Sequence, residues 1–305
     1  MKKPFELMKR YEGNPIITPD ALPGANQVYN AGAVKVAGEY VLLMTVLGDE
    51  PIGRFHVARS ADGVKFEVDP EPAITAQAGE DWICDPRVTF MDGMYYILYW
   101  SGSPYGCRTV LCTTKDFVAF ERRGFICQPD NRNMALFPEK IDGLYARLDR
   151  PYGSIHNGAI WVSYSPDLVY WGKSRPVLNK GKFFQWDGHK VGPGAPPIRT
   201  PKGWLALCHG VREGYFGYYL SCALLDLEDP SEVLGYMRSA LLSPREPYER
   251  IGAVPNALFT CGAILEESGE LKIYYTGADT VICLATASID ELAEACLADG
   301  PPPKA

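Results

Sequence analysis

Apolar and polar residues alternate along this chain in short runs punctuated by glycine, and one such arrangement recurs five times. A strand-like run enters a tight turn containing glycine and returns as a second aromatic or aliphatic run: VKVAGEYVLLM, TFMDGMYYILYW, EKIDGLYARL, RTPKGWLALCHG and EESGELKIYYTG. The turn glycines are Gly38, Gly93, Gly143, Gly203 and Gly269. Period-two alternation on both sides of a turn that needs positive φ is the pattern of a β-hairpin. About twenty residues after each hairpin a further strand follows, usually closed by an acidic turn: HVARSADGVKFE, VLCTTKDFVAFE, IWVSYSPDLVYW, SCALLDLEDPSEV and VICLATASIDEL.

Each repeat therefore holds three or four strands and spans fifty to sixty-six residues, with prolines gathered between repeats at LPG, GPGAPP and SPREP. Self-similarity at such a period, without helical periodicity between the strands, predicts an all-β, five-bladed β-propeller rather than a sandwich. Residues 1–305 then form a single domain. Only ASIDELAEACLADG reads as a helix, short and C-terminal, with Ser288 as N-cap, Glu291 three residues on and Gly300 past the end.

Composition narrows the partners. Thirty basic against thirty-seven acidic residues give a formal charge of −7, and no basic block is long. Nucleic acid and anionic membranes are not expected partners. The first residues, MKKPFELMKRYEGNP, lack the apolar core of a signal peptide, and no run reaches the length of a membrane span, so a cytoplasmic location is expected. Nine cysteines lie scattered through strand-like runs, without a CxxC or CxxH pair, and read as reduced core thiols rather than metal ligands. No metal is expected. Neighbouring repeats and the C-terminal helix offer surface for a homo-oligomer.

A propeller binds ligands at one mouth of its axial channel, so polar residues that recur at the same end of each hairpin are the candidates for chemistry. Counted back from the turn glycines, Asn30 and Asp85 stand eight residues before, Asn133 ten before with Arg132 beside it, and Lys190 and Asn256 thirteen before. On the returning strands Arg150, His209 and Asp279 follow their glycines by seven, six and ten residues. Ring closure would bring these ends together as a cationic half-ring facing two carboxylates. Taken singly, each has an ordinary explanation. Asp85-Pro86-Arg87 is a turn with a local ion pair, Arg132 and Lys190 are solvated charges, His209 is a core histidine, and Asn30 and Asp279 are turn residues. Their shared position in the repeat is what favours function. Several cations with amide and imidazole donors suit an oxyanion such as phosphate, and a carboxyl group beside them suits general acid catalysis. Trp82, Trp100, Tyr105 and Trp186 are candidates for stacking on sugar rings, although burial inside a blade is the commoner fate of such residues.

The blocks YEGNPIITPDALPGANQVYNAGAVKV, WICDPRVTFMDGMYYILYW, RNMALFPEKIDGLYARLDRP, HKVGPGAPPIRTPKGWLALCHGV, LLSPREPYERIGAVPNALF and YYTGADT make the chain resemble glycoside hydrolase family 130, the inverting β-mannoside phosphorylases, over nearly its whole length. It looks most like the branch acting on β-1,4-mannooligosaccharides and mannosyl-N-acetylglucosamine. The resemblance implies phosphorolysis of a terminal β-mannoside to α-D-mannose 1-phosphate, with inorganic phosphate as co-substrate and no cofactor. It also implies Asp85 as general acid, working through the 3-hydroxyl of the −1 mannose. Phosphate would be held by Arg132, Asn133, Arg150, Lys190 and His209, and the glycoside by Asn30, Arg87 and Asp279. Where relatives commonly have an arginine on the first hairpin this chain has Thr45, with Arg54 a few residues on, and Ala31 follows the asparagine where serine or glycine is common. These departures bear on the −1 or acceptor subsite. The other readings are a β-mannosidase on the same propeller, with Asp279 or Glu139 as the base that activates water, and a sugar-binding propeller without catalysis.

Overall fold

The computed structural model describes residues 3–50, 52–153, 158–214 and 217–302. A single turn of helix, α1 (Pro4–Leu7), leads into the short strand β1 (Met8–Arg10), and five four- or five-stranded antiparallel sheets follow in chain order. Blade 1 contains β2 (Gln27–Val36), β3 (Glu39–Leu47), β4 (Arg54–Ser60) and β5 (Glu67–Val68), with β6 (Ile74–Thr75) also on β4. Blade 2 is β7 (Trp82–Met91), β8 (Met94–Ser103), β9 (Gly106–Thr114) and β10 (Phe120–Phe125). Blade 3 is β11 (Asn131–Leu136), β12 (Tyr145–Pro151), β13 (Ile160–Ser165) and β14 (Gly172–Leu178). Blade 4 comprises β15 (Lys190–Pro193) and β16 (Ile198–Thr200), both on β17 (Gly203–Val211), then β18 (Tyr218–Leu225) and β19 (Val233–Tyr236). After the one-turn helix α2 (Pro247–Arg250), blade 5 is β20 (Leu258–Leu265), β21 (Glu270–Gly277) and β22 (Val281–Ser288).

The five-bladed propeller expected from the repeats is the observed fold, and the turn chemistry explains why. Ala37-Gly38, Asp92-Gly93 and Asp142-Gly143 all have positive φ at both positions, the geometry that matches the twist of a two-residue hairpin. The acidic turns repeat as well. Asp62, Asp116 and Asp167 each accept two main-chain N–H bonds at 2.8–3.0 Å, which close the connection between the third and fourth strands.

One apolar core lies between each neighbouring pair of blades, so both faces of every sheet are buried. That is why the middle strands read as almost unbroken apolar runs, such as β3, which is buried from Tyr40 to Leu47. Near the axis the inner strands touch through glycine. A Cβ on Gly32 would stand 2.6 Å from the Pro86 carbonyl oxygen, and one on Gly262 would collide with the Ala33 main chain. The ring closes through the N-terminus, a feature absent from the repeat pattern: β1 pairs with β22, Met8 opposite Ala287 and Arg10 opposite Ala285. The expected helix is α3 (Ile289–Asp299), in which the Ser288 hydroxyl accepts the Glu291 N–H and Gly300 has φ 70. Its Leu292, Ala293 and Cys296 pack into the core between blades 4 and 5.

Candidate active site

Three inner strands break their ladder at the same level. The register slips between Tyr29 and Gly32 in β2, between Cys84 and Arg87 in β7, and between Arg132 and Ala135 in β11. Each slip is a bulge whose pivot is polar and left-handed: Asn30 at φ 47, Asp85 at φ 58 and Asn133 at φ 56. The bulges turn three side chains toward one another. Asn30 Nδ2 donates to Asp85 Oδ1 at 2.7 Å, and Asn133 Nδ2 donates to Oδ2 at 3.4 Å. Trp100 Nε1 donates to the same Oδ2 at 3.2 Å. The backbone of Asp85 is also held, its N–H by the Thr45 hydroxyl at 3.3 Å and its carbonyl by Arg87 Nη1 at 3.0 Å.

The cations come from blades 3 and 4. Arg132 and Arg150 are a cross-strand pair on β11 and β12, and Lys190 opens β15, whose Gly192 lies opposite His209 of β17. Arg132 stacks between Trp100 and Tyr152, 5.4 and 5.0 Å from their ring centroids. Lys190 Nζ donates to the Tyr218 hydroxyl at 2.7 Å. Burial, with Arg150 and Arg132 close by, pushes the Lys190 ammonium down to about 7. Arg150 falls to about 10, chiefly through burial. Burial and the charges of Arg150, Lys190 and Arg87 hold His209 well below the usual imidazole range, so the ring is neutral.

On the carboxylate side, Asp279 sits in the turn after β21 at φ 48. Burial, reinforced by the charge of Asp85, pushes its carboxyl up to about 7.

Buried polar atoms in proteins are nearly always paired, yet here a group of them is not. Asn30 Oδ1, Arg132 Nε, Asn133 Oδ1, Arg150 Nε and Nη1, both ring nitrogens of His209 and Asp279 Oδ1 are buried without a hydrogen-bond partner. They account for eight of the twelve such side-chain atoms among the described residues. Donors and acceptors left open together, on residues from different blades, form a site shaped for a polar ligand.

Asn30, Asp85, Arg132, Asn133, Arg150, Lys190, His209 and Asp279 lie together in this cluster, with Arg87 at its floor. Each Arg87 nitrogen donates to a main-chain carbonyl. Others depart from expectation. Glu139, the alternative base, is half-exposed and ion-paired with Arg199 at 2.8 Å, because it lies at the turn end of its hairpin. Trp186 is buried against Tyr236 and Gly210 inside blade 4 and has no face for a sugar. Tyr105 is 83% exposed at the tip of the β8–β9 turn. Trp82 packs with Trp100, Tyr29 and Cys84. Tyr218 was not anticipated. It belongs to the third strand of its blade, level with Val211 and Lys190 in the register, whereas only first and second strands carry the offset that the turn glycine measures.

A ring of blades around buried cations with open valences, next to a pair of carboxyl groups, defines an enzyme that handles a neutral polar substrate together with an oxyanion. The family model described as beta-1,4-mannooligosaccharide phosphorylase matches residues 5–297. The beta-1,4-mannooligosaccharide phosphorylase of Ruminococcus albus is 32% identical over 305 residues, covering 95% of this chain and 90% of that protein. The beta-1,2-mannobiose phosphorylase of Listeria innocua is 38% identical over 239 residues, covering 77% of this chain and 66% of its own. A solved structure of beta-1,2-mannobiose phosphorylase from Listeria innocua with beta-1,2-mannobiose superposes with a TM-score of 0.88 at 30% identity, covering 95% of this chain and 99% of that one. The chain belongs to glycoside hydrolase family 130 and is a glycoside phosphorylase of that family.

Proposed function

We propose that this protein transfers the terminal mannosyl group of a β-1,4-linked mannoside to inorganic phosphate with inversion, giving α-D-mannose 1-phosphate and a shortened sugar. The observation that carries the reading is the set of open donors on Arg132, Arg150 and His209 beside Lys190. An inverting hydrolase needs a carboxylate base to activate water. Phosphate is already a nucleophile and needs neutralisation and aim, which buried cations and amides supply.

In this mechanism Asn30 and Asp279 hold the −1 mannose, and Arg132, Asn133, Arg150, Lys190 and His209 hold hydrogen phosphate on the α face of C1. The C1–O bond to the leaving sugar breaks as a phosphate oxygen bonds C1. The leaving oxygen takes a proton delivered from Asp85 through the mannose 3-hydroxyl. Hydrogen phosphate brings one proton and the leaving sugar departs with one, so Asp85 ends the cycle as it began. No redox change occurs, and phosphate is a co-substrate, so the chemistry calls for neither metal nor organic cofactor.

The inner strands of all five blades surround the axis, which supports residues 1–305 acting as one catalytic domain. All nine cysteines are free, seven of them buried, which fits work in the reducing cytoplasm. No helix among the described residues is long and apolar enough to cross a membrane.

The test is product analysis with β-1,4-mannobiose, mannosyl-β-1,4-N-acetylglucosamine and β-1,2-mannobiose, each with and without phosphate. Mannose 1-phosphate is expected only with phosphate, and fastest from a β-1,4 substrate. Free mannose released at the same rate in both arms would sink the reading. Fastest turnover of the β-1,2 disaccharide would overturn the linkage alone.

A further inference from the structure

Arg87 is 1% exposed and joins three blades. Its Nη1 donates to the Asp85 carbonyl at 3.0 Å, its Nε to the Gly194 carbonyl at 2.6 Å and its Nη2 to the Pro193 carbonyl at 3.2 Å. Its guanidinium carbon lies 5.7 Å from the centroid of the Phe259 ring. A buried guanidinium is costly to desolvate and usually answers a carboxylate, whereas this one spends all three nitrogens on main-chain oxygens.

The carbonyls it takes are informative. Asp85 has a left-handed backbone at φ 58, a strained conformation for a residue with a Cβ. The Arg87 guanidinium on its carbonyl and the Thr45 hydroxyl on its N–H hold the main chain on either side of its Cα. Pro193 and Gly194 continue the strand that carries Gly192. A Cβ on Gly192 would stand 2.6 Å from His209 Cε1 and 3.1 Å from Arg150 Cδ, so this strand is the wall on which two of the phosphate-side residues rest. One rigid planar fork thus ties the peptide of the acid to the wall behind the cations.

We propose that Arg87 is a positioning residue: by bonding the Asp85 carbonyl and the Pro193-Gly194 carbonyls together, it sets the spacing between the general acid and bound phosphate. The proposal rests on the phosphorylase reading above. Arg87 acts through its neighbours: each of its three nitrogens donates to a main-chain carbonyl.

The experiment compares the parent enzyme with Arg87→Met, which fills similar volume without charge, and Arg87→Lys, which keeps the charge but replaces the fork by a point donor. Both are examined for melting temperature, kcat, and KM for glycoside and for phosphate. Loss of an ångström of alignment predicts a fall in kcat of about a hundredfold in the methionine variant. Its phosphate KM should rise about tenfold while the glycoside KM stays within about threefold. The lysine variant should shift the same way by less, and it decides the matter if the methionine variant does not fold. In an Asp85→Asn background, adding Arg87→Met should cost less than about threefold further in kcat, because the acid it positions is gone. A lowered melting temperature with kcat and phosphate KM within about threefold of the parent would overturn the proposal, as would full additivity with Asp85→Asn. Release of free mannose by the parent without phosphate would instead count against the phosphorylase reading, and the coupling to Asp85 would still decide the role of Arg87.

Discussion

Two buried charged clusters in this propeller are built on opposite principles. Where the ring closes, Glu249 is fully buried and completely answered. Its carboxylate accepts from Arg10 Nε at 2.7 Å and Nη2 at 3.0 Å, from the Tyr275 hydroxyl at 3.0 Å, and from the main-chain N–H groups of Arg245 and Glu246 at 2.7 and 3.0 Å. Arg10 Nη2 also donates to the Ser243 carbonyl. At the axis, Arg150 and His209 are as deeply buried, yet four of their nitrogens have no partner. A satisfied network fixes a fold, and an unsatisfied one stores binding energy for something that arrives later. The closure latch reads as structure and the axial cluster as function on that difference alone.

Substitutions can break the contrast. The largest effect is expected from Asp85→Asn, which keeps the shape of the acid but removes its proton. Turnover should fall by roughly two to four orders of magnitude while the protein still folds, as steady-state kinetics and calorimetric scanning would show. A sugar-binding propeller without catalysis would show no such loss. Next comes Glu249→Ala at the latch. Leaving the half-buried Arg10 with only the Ser243 carbonyl, and the Tyr275 hydroxyl without its acceptor, should cost about 3 kcal/mol in denaturant unfolding, while the folded fraction keeps the parent kcat.

Arg150→Met sharpens the comparison from the other side. Exchanging a buried, partly unpaired charge for an apolar chain of similar size should leave stability unchanged or raise it by about 1 kcal/mol, and phosphorolysis should be lost. A marked loss of stability would mean that the axial cations hold the fold together after all.

The smallest effect concerns pH. With its group near 7, Lys190 is cationic below that value and neutral above it. The ratio of apparent phosphate affinity between the parent and Lys190→Gln should therefore be largest below pH 7 and shrink as pH rises, the ionisation of phosphate itself cancelling in the ratio. A ratio independent of pH would show that Lys190 titrates outside this range.

The contrast also explains what the sequence could reveal. The hairpins were legible because a two-residue turn with positive φ leaves a glycine at a fixed place, and Gly38, Gly93 and Gly143 sit where the chain must reverse. Counting from those glycines located Asn30 and Asp85 at equal offsets. Asn133, ten residues out instead of eight, still converges because its bulge pivots the chain at the same level. The bulges themselves were not legible, since one extra residue in a strand leaves no compositional trace. The closure through Met8–Arg10 was hidden for a related reason: three residues are too few to show alternation, and their partners lie at the other end of the chain. Thr45 stood out as a departure from relatives, but its bond to the Asp85 N–H depends on two strands meeting across blades. Trp186 and Glu139 misled for the opposite reason, because residue type suggested chemistry that burial in one case and exposure in the other removes.

The central claim is that the open valences at the axis are a phosphate cradle. A crystal structure of the protein soaked with phosphate and mannose tests it most directly. The account predicts a phosphate within hydrogen-bonding distance of Arg132, Asn133, Arg150, Lys190 and His209, with mannose between it and Asp85. Phosphate bound elsewhere, or an axial cluster filled only by water at saturating phosphate, would contradict it.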